Sequence, residues 1–375
     1  MPYHNFTKGK NKMENLIKLC GENCKQSSRR KFLKNSLFTA GAITFGGLSI
    51  HGLANTTQRR GAVDARSGGT IRHESGYVPG YIALAKSGEL ERRERALWAK
   101  MESCNLCPRN CGVNRMAGRK GLCSSDHTLR VASAEISLAE ERVTVGTRGT
   151  GSIFMSNCNL LCVFCQNWQI NHRGDGTEIT HEQLANVMIN LQRAGVHNIG
   201  IVTPTHAVPH LVTALRLAID KGLNIPFLYN TGGYDSLEVI QLLDGIADMY
   251  IPDFKFQDCN IAAPFIQNAP DYTLHAAAAI KEMHRQVGEC KIENGVMYRG
   301  MIIRHLVLPE NLGGADKFVR WVVDELGADT HVNIMRQYRP EFRARYHPPL
   351  DRRVLLSEYE QAMRWAREAG LHNFH

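Results

Sequence analysis

The chain has 375 residues, room for one large domain or two ordinary ones, and its 43% hydrophobic and 22% charged residues suit a globular protein with a sizeable core. The formal net charge is +9, but residues 1–54 hold nine Lys/Arg against two Asp/Glu, which leaves 36 basic and 34 acidic residues in the remainder. The folded body therefore has no excess charge for a general phosphate-binding surface, and no nucleic-acid partner is expected.

Residues 28–34 read SRRKFLK, followed by the weakly apolar run SLFTAGAITFGGLSI at 36–50 and then HGLANTT. A basic, an apolar and a small-residue region in that order have the layout of an export signal. Arg29 and Arg30 before Phe32, Leu33 and Lys34 resemble the twin-arginine motif. The apolar run is short and Gly-rich, too weak for a stable membrane span. The expectation is a twin-arginine-type signal over 1–54 and export to the periplasm. The alternative is a basic tail on a cytoplasmic protein. A linker and helix follow over 55–100, the helix predicted at 86–102 with Leu90, Leu97 and Trp98 packing inward.

Seven of the eleven cysteines lie between 104 and 165. Cys104, Cys107, Cys111 and Cys123 form C-x2-C-x3-C-x11-C, and Gly112, Gly118 and Gly121 among them permit tight turns. Four thiolates make a closed tetrahedral site. Structural zinc is the simplest occupant and a second iron–sulfur cluster the competing one. This Cys-rich extension is assigned to 101–145.

From 151 apolar strands alternate with amphipathic helices. Strands are predicted at 151–157, 198–204, 225–231, 249–255, 301–309 and 331–338, and helices at 181–195, 209–222, 236–245, 272–288, 315–327 and 357–370. Six β-α units imply a parallel sheet with right-handed crossovers, either doubly wound or a partial barrel. The motifs favour the barrel, placed at 146–340 and followed by a loop and helix over 341–375. In a barrel, chemistry gathers at the C-terminal ends of the strands.

At the end of the first predicted strand stands NCNLLCVFCQNW, in which Cys158, Cys162 and Cys165 form C-x3-C-x2-C. Three thiolates hold three irons of a [4Fe–4S] cluster and leave the fourth iron open, with Phe164 as a shield against water. A strand leading into C-x3-C-x-aromatic-C resembles the radical S-adenosylmethionine (radical SAM) superfamily. CNLCPRNCGVNRMAGRKGLC, NCNLLCVFCQNWQI, VTPTHAVPH, YNTGGY, IPDFKF and IIRHLVLPENLGG occur in that order, over roughly residues 100–340, and resemble its pyruvate formate-lyase activating enzyme-like branch.

The resemblance implies an α/β fold with a partial (β/α)6 TIM-like barrel and a [4Fe–4S] cluster with S-adenosylmethionine as cofactors. It also implies an oxidoreductase that cleaves S-adenosylmethionine to a 5′-deoxyadenosyl radical and takes hydrogen from a protein or small-molecule substrate. A flavodoxin- or ferredoxin-like protein would supply the electron. Activating enzymes carry Gly-Gly-Glu after the second strand to hold the cofactor's amino group. Here that place reads TPTH, so Thr205 or His206 is expected to stand in, or the space serves another substrate. Asp253 and Lys255 match the family's Asp-x-Lys, and strand residues i and i+2 share a face. Asn230 and Thr231 either bind the cofactor or begin the GGY turn. Alternation sends one of Arg304 and His305 inward, and Arg304, with Ile302 and Leu306, is the choice. Cys259 is read as a loop cysteine rather than a catalytic thiol, and Cys290 as structural. The contrasting function is a non-catalytic iron–sulfur or zinc protein for electron transfer or partner binding.

Overall fold

The computed structural model describes residues 76–267 and 269–375. The proposed signal, with Cys20 and Cys24, lies outside the described residues. Nine strands are present among them: β1 Arg130–Ser137, β2 Thr150–Met155, β3 Thr177–Glu178, β4 Ile199–Val202, β5 Phe227–Thr231, β6 Met249–Pro252, β7 Lys291–Glu293, β8 Val296–Leu306 and β9 His331–Met335. The main helices are α1 Gly80–Lys86, α2 Glu89–Ala99, α3 His181–Arg193, α4 Val208–Asp220, α5 Leu237–Leu242, α6 Tyr272–Val287, α7 Ala315–Glu325 and α8 Leu356–Glu368.

Each of the six strands expected from the sequence forms, as does each alternating helix. The single helix expected over 86–102 is two, α1 and α2, parted by Gly88 at φ 75°. Leu90 and Leu97 of α2 are fully buried. The start of α3 shows why such boundaries are legible: the Thr180 side chain accepts from Gln183 N, and the Gln183 side chain reaches back to Thr180 N.

β2, β4, β5, β6, β8 and β9 pair in chain order, every pair parallel. A doubly wound sheet needs a point where strand order reverses. None occurs along these six strands, so right-handed crossovers put all the connecting helices on one face, as in a partial (β/α)6 barrel. Three strands lie beyond the expectation. β1 adds antiparallel to β2, β3 antiparallel to β1, and β7 antiparallel to β8.

Period-two alternation divides the barrel strands. Tyr229, Tyr250 and Ile303 point outward into the helix layer, while Leu228, Met249, Ile251, Met297 and Ile302 form a small inner cluster. The same alternation carries Asn230 and Arg304 to the inner face, one step beyond Leu228 and Ile302. The connection from β1 to β2 includes one helical turn, Arg142–Val145, which packs on β8 and sets Val143 against the inner cluster. The barrel floor is thus apolar and its C-terminal end polar.

Candidate active site at the strand ends

A cavity of about 520 Å³ opens at the C-terminal ends of the parallel strands, within the usual size of small-molecule sites. Cys158, Cys162 and Cys165 all line it, with Phe164 beside them. The loop carrying them is tightly wound: Asn157 and Leu161 adopt φ of 74° and 55°. This winding turns N–H groups toward sulfur, Leu160 N to Cys158 Sγ at 3.3 Å and Asn171 Nδ2 to Cys165 Sγ at 3.4 Å. Phe164 packs edge-on against Phe256 and Tyr338 and is buried.

Burial pushes all three thiols up, Cys158 to about 11. Sulfurs so placed become thiolates only beside positive charge. Lys255 provides some, since its charge acts on all three thiols. Burial lowers the Lys255 pKa, but Asp253 and Cys162 outweigh it and hold the ammonium above its ordinary value. Among the described residues no fourth cysteine lines the cavity. Three thiols on one wall, each with its own position, N–H donors to sulfur and a nearby ammonium fit a cluster that takes one ligand per corner.

Asp253 and Lys255 both line the cavity and pair with each other, Nζ to Oδ2 at 2.5 Å. The turn after β5 packs directly on them. A Cβ at Gly233, whose φ is 84°, would lie 2.2 Å from Asp253 O, so only glycine permits this approach. Asn230 and Thr231 line the cavity as well. Thr231 donates to Asp235 Oδ2 at 2.6 Å, and Asn230 Oδ1 accepts from Arg304 Nη1 at 3.3 Å.

Arg304 faces the cavity and His305 faces away, its Nδ1 donating to Phe254 O at 2.7 Å and its ring stacked on Phe318. Arg304 is not free, however. Glu141 holds it through Nε–Oε1 at 2.5 Å and Nη2–Oε2 at 2.6 Å, and Glu140 Oε2 lies 2.5 Å from Nη2. Asn333 Nδ2 donates to Glu141 Oε1 at 3.0 Å.

Two expected residues lie elsewhere. Thr205 and His206 do not line the cavity; Thr203 does. Thr203 adopts φ 61°, and this left-handed turn at the end of β4 sends the following residues into a buried 3-10 turn. There Thr205 donates to Asp235 Oδ1 at 2.7 Å, and His206 Nε2 donates to Ser156 O at 2.7 Å. Cys259 is buried in the short helix Cys259–Ala262, off the cavity, and the Cys290 thiol lies 3.2 Å from Met301 O.

Sequence reasoning missed Glu140, Glu141, Thr203 and Asn333. The two glutamates lie in a connection with no recognisable motif. The parallel register with β8, which sets Asn333 opposite Arg304, could have pointed to Asn333.

The four other cysteines, Cys104, Cys107, Cys111 and Cys123, line a separate small cavity with Arg109, Arg115, Asn159 and His206. Arg109 ties this loop to the first one, donating from Nε to Asn159 O at 2.6 Å and from Nη2 to Leu160 O at 3.0 Å.

A six-stranded parallel barrel with a three-cysteine loop at its strand ends defines a class of iron–sulfur enzyme. The radical SAM superfamily profile matches residues 152–295. An uncharacterized Methanocaldococcus jannaschii protein, MJ0674, is 31% identical over 281 residues, covering 72% of this chain and 76% of its own length. A second uncharacterized protein of that organism, MJ0808, is 23% identical over 303 residues, 74% of this chain and 83% of the relative. Among solved structures, HydG, a maturase of the [FeFe]-hydrogenase, matches with a TM-score of 0.42 and 13% identity over 60% of this chain and 50% of that one. Residues 152–295 thus form a radical SAM superfamily domain, whose cofactors are a [4Fe–4S] cluster and S-adenosylmethionine. Among the described residues no helix is long and apolar enough to cross a membrane.

Proposed function

We propose that this radical SAM enzyme abstracts hydrogen from a protein or small-molecule substrate held in the 520 Å³ cavity, with Cys158, Cys162 and Cys165 as the only protein ligands of its cluster. The observation that carries this reading is that all three sulfurs line that one cavity while, among the described residues, no fourth cysteine does. When bound, the cluster supplies the electron that splits a carbon–sulfur bond of S-adenosylmethionine.

The chain's own residues do the rest. Phe164 keeps water from the sulfurs. Lys255, fixed by Asp253, sets a cation beside Cys162 and Cys158 and moderates the negative charge gathered there. Asn230, Thr231 and Thr203 offer polar groups at the ends of β5 and β4 to orient the nucleoside. Arg304 is positioned by Glu141 and Glu140 rather than waiting as a bare cation, which favours substrates without a large anionic group. A flavodoxin- or ferredoxin-like protein is the electron donor in this proposal. Export by the twin-arginine route belongs to it as well and is tested by cell fractionation and sequencing of the mature N-terminus.

The test of activity is reduction of the anaerobically reconstituted protein with S-adenosylmethionine present. Formation of 5′-deoxyadenosine supports the proposal; an intact cluster without it favours an electron-transfer or binding role. A glycyl radical on a co-incubated glycyl-radical enzyme would narrow the function to an activating enzyme.

A further inference from the structure

We infer that Cys104, Cys107, Cys111 and Cys123 form a second, closed metal site that takes one zinc(II) ion. Two features of their cavity point to a metal–thiolate centre rather than four free thiols.

The first is charge. Arg115 is fully buried, 1% exposed, yet all its partners are carbonyl oxygens: Asp126 O at 3.0 and 2.7 Å and His206 O at 2.8 Å. Arg109, the other guanidinium on the cavity, likewise donates only to carbonyls. Among the described residues neither forms an ion pair with a carboxylate. A buried cation without an anion is costly. A zinc ion with four thiolates has a net charge of minus two, which two guanidinium groups balance. Four neutral thiols would balance nothing.

The second is the ligand set. All four cysteines line one small cavity, and four thiolates make a closed tetrahedral site of the kind zinc(II) takes. Gly121 lets two of the sulfurs come together, since a Cβ there would lie 3.1 Å from Cys111 Sγ and 3.7 Å from Cys123 Sγ. Cys111 Sγ donates to Cys104 O at 3.9 Å. Among the described residues the four side chains are not yet gathered around one point, so binding requires the thiols to lose their protons and turn inward to close on the ion.

Metal analysis of the full-length protein, purified without oxygen, tests this. The expected result is one zinc per chain in addition to iron. Cys123→Ser and Cys107→Ser should lose the zinc and keep the iron, while Cys162→Ala should do the reverse. Loss of iron instead of zinc in Cys123→Ser, or zinc content unchanged by it, would overturn the inference. Should those variants fold poorly, the wild-type protein exchanged with cobalt(II) decides. A thiolate-to-cobalt charge-transfer band supports a sulfur-ligated site, and its absence removes it. Neither result depends on cleavage of S-adenosylmethionine.

Discussion

Glu141 and Arg304 meet through two parallel hydrogen bonds across the strand ends, at 2.5 and 2.6 Å, with 1% and 16% of their side chains exposed. Such a fork is geometrically specific, and breaking it leaves a desolvated cation. Glu141→Ala should destabilise the protein by about 3 kcal/mol, the low end for a broken buried pair because Glu140 still holds Arg304. Denaturant titration measures this. Burial raises the Glu141 carboxyl, but Arg304 more than offsets it and holds the group below the ordinary range. A depressed carboxylate contributes stability above its unfolded pKa of about 4.3 and loses it as pH falls through the folded value. Glu141→Gln should therefore flatten the acid limb of the stability curve relative to wild type.

Thr203 and Thr205 separate a cavity residue from a structural one. Thr203 has a β-branched side chain in the left-handed region, which costs on the order of 1–3 kcal/mol. Thr203→Gly should raise stability by about 1 kcal/mol and lower 5′-deoxyadenosine formation, strain and function residing at the same position. Thr205→Val removes a buried donor to Asp235 and should cost about 1–3 kcal/mol, with cofactor binding in the surviving folded protein unchanged. Paired thermal melts and cofactor titrations distinguish the two.

Cys162→Ala should abolish both cluster assembly and cofactor cleavage, read as loss of the cluster's absorption and of 5′-deoxyadenosine. Cys259→Ala should spare both, because Cys259 is buried in its helix away from the cavity.

Lys255→Met removes the ammonium beside Cys162 and leaves Asp253 without its partner. A charged hydrogen bond of about 1.5–3 kcal/mol corresponds to roughly 10- to 100-fold. The expected outcome is a slowing of cofactor cleavage by that factor, together with a lower reduction potential of the cluster in an EPR-monitored titration.

The barrel strands were legible because apolar runs between turn residues admit few other readings. The choice between Arg304 and His305 was legible because a strand's two faces alternate. The cysteine loop followed from spacing alone. What escaped the sequence were features created by irregular backbone or by distant pairing. Thr203's left-handed turn redirects TPTH, and nothing about a threonine announces such a φ. Glu140 and Glu141 sit just past a largely exposed strand, β1, whose side chains give little apolar pattern. Their importance comes from reaching Arg304, more than 160 positions away in the chain.

Arg109 is borne on the loop between Cys107 and Cys111, but its guanidinium grips the backbone between Cys158 and Cys162. One side chain thus acts as a mechanical coupling between two sulfur-rich loops. A shift of the outer loop would therefore be passed to the backbone of the inner one without any inner sulfur being touched.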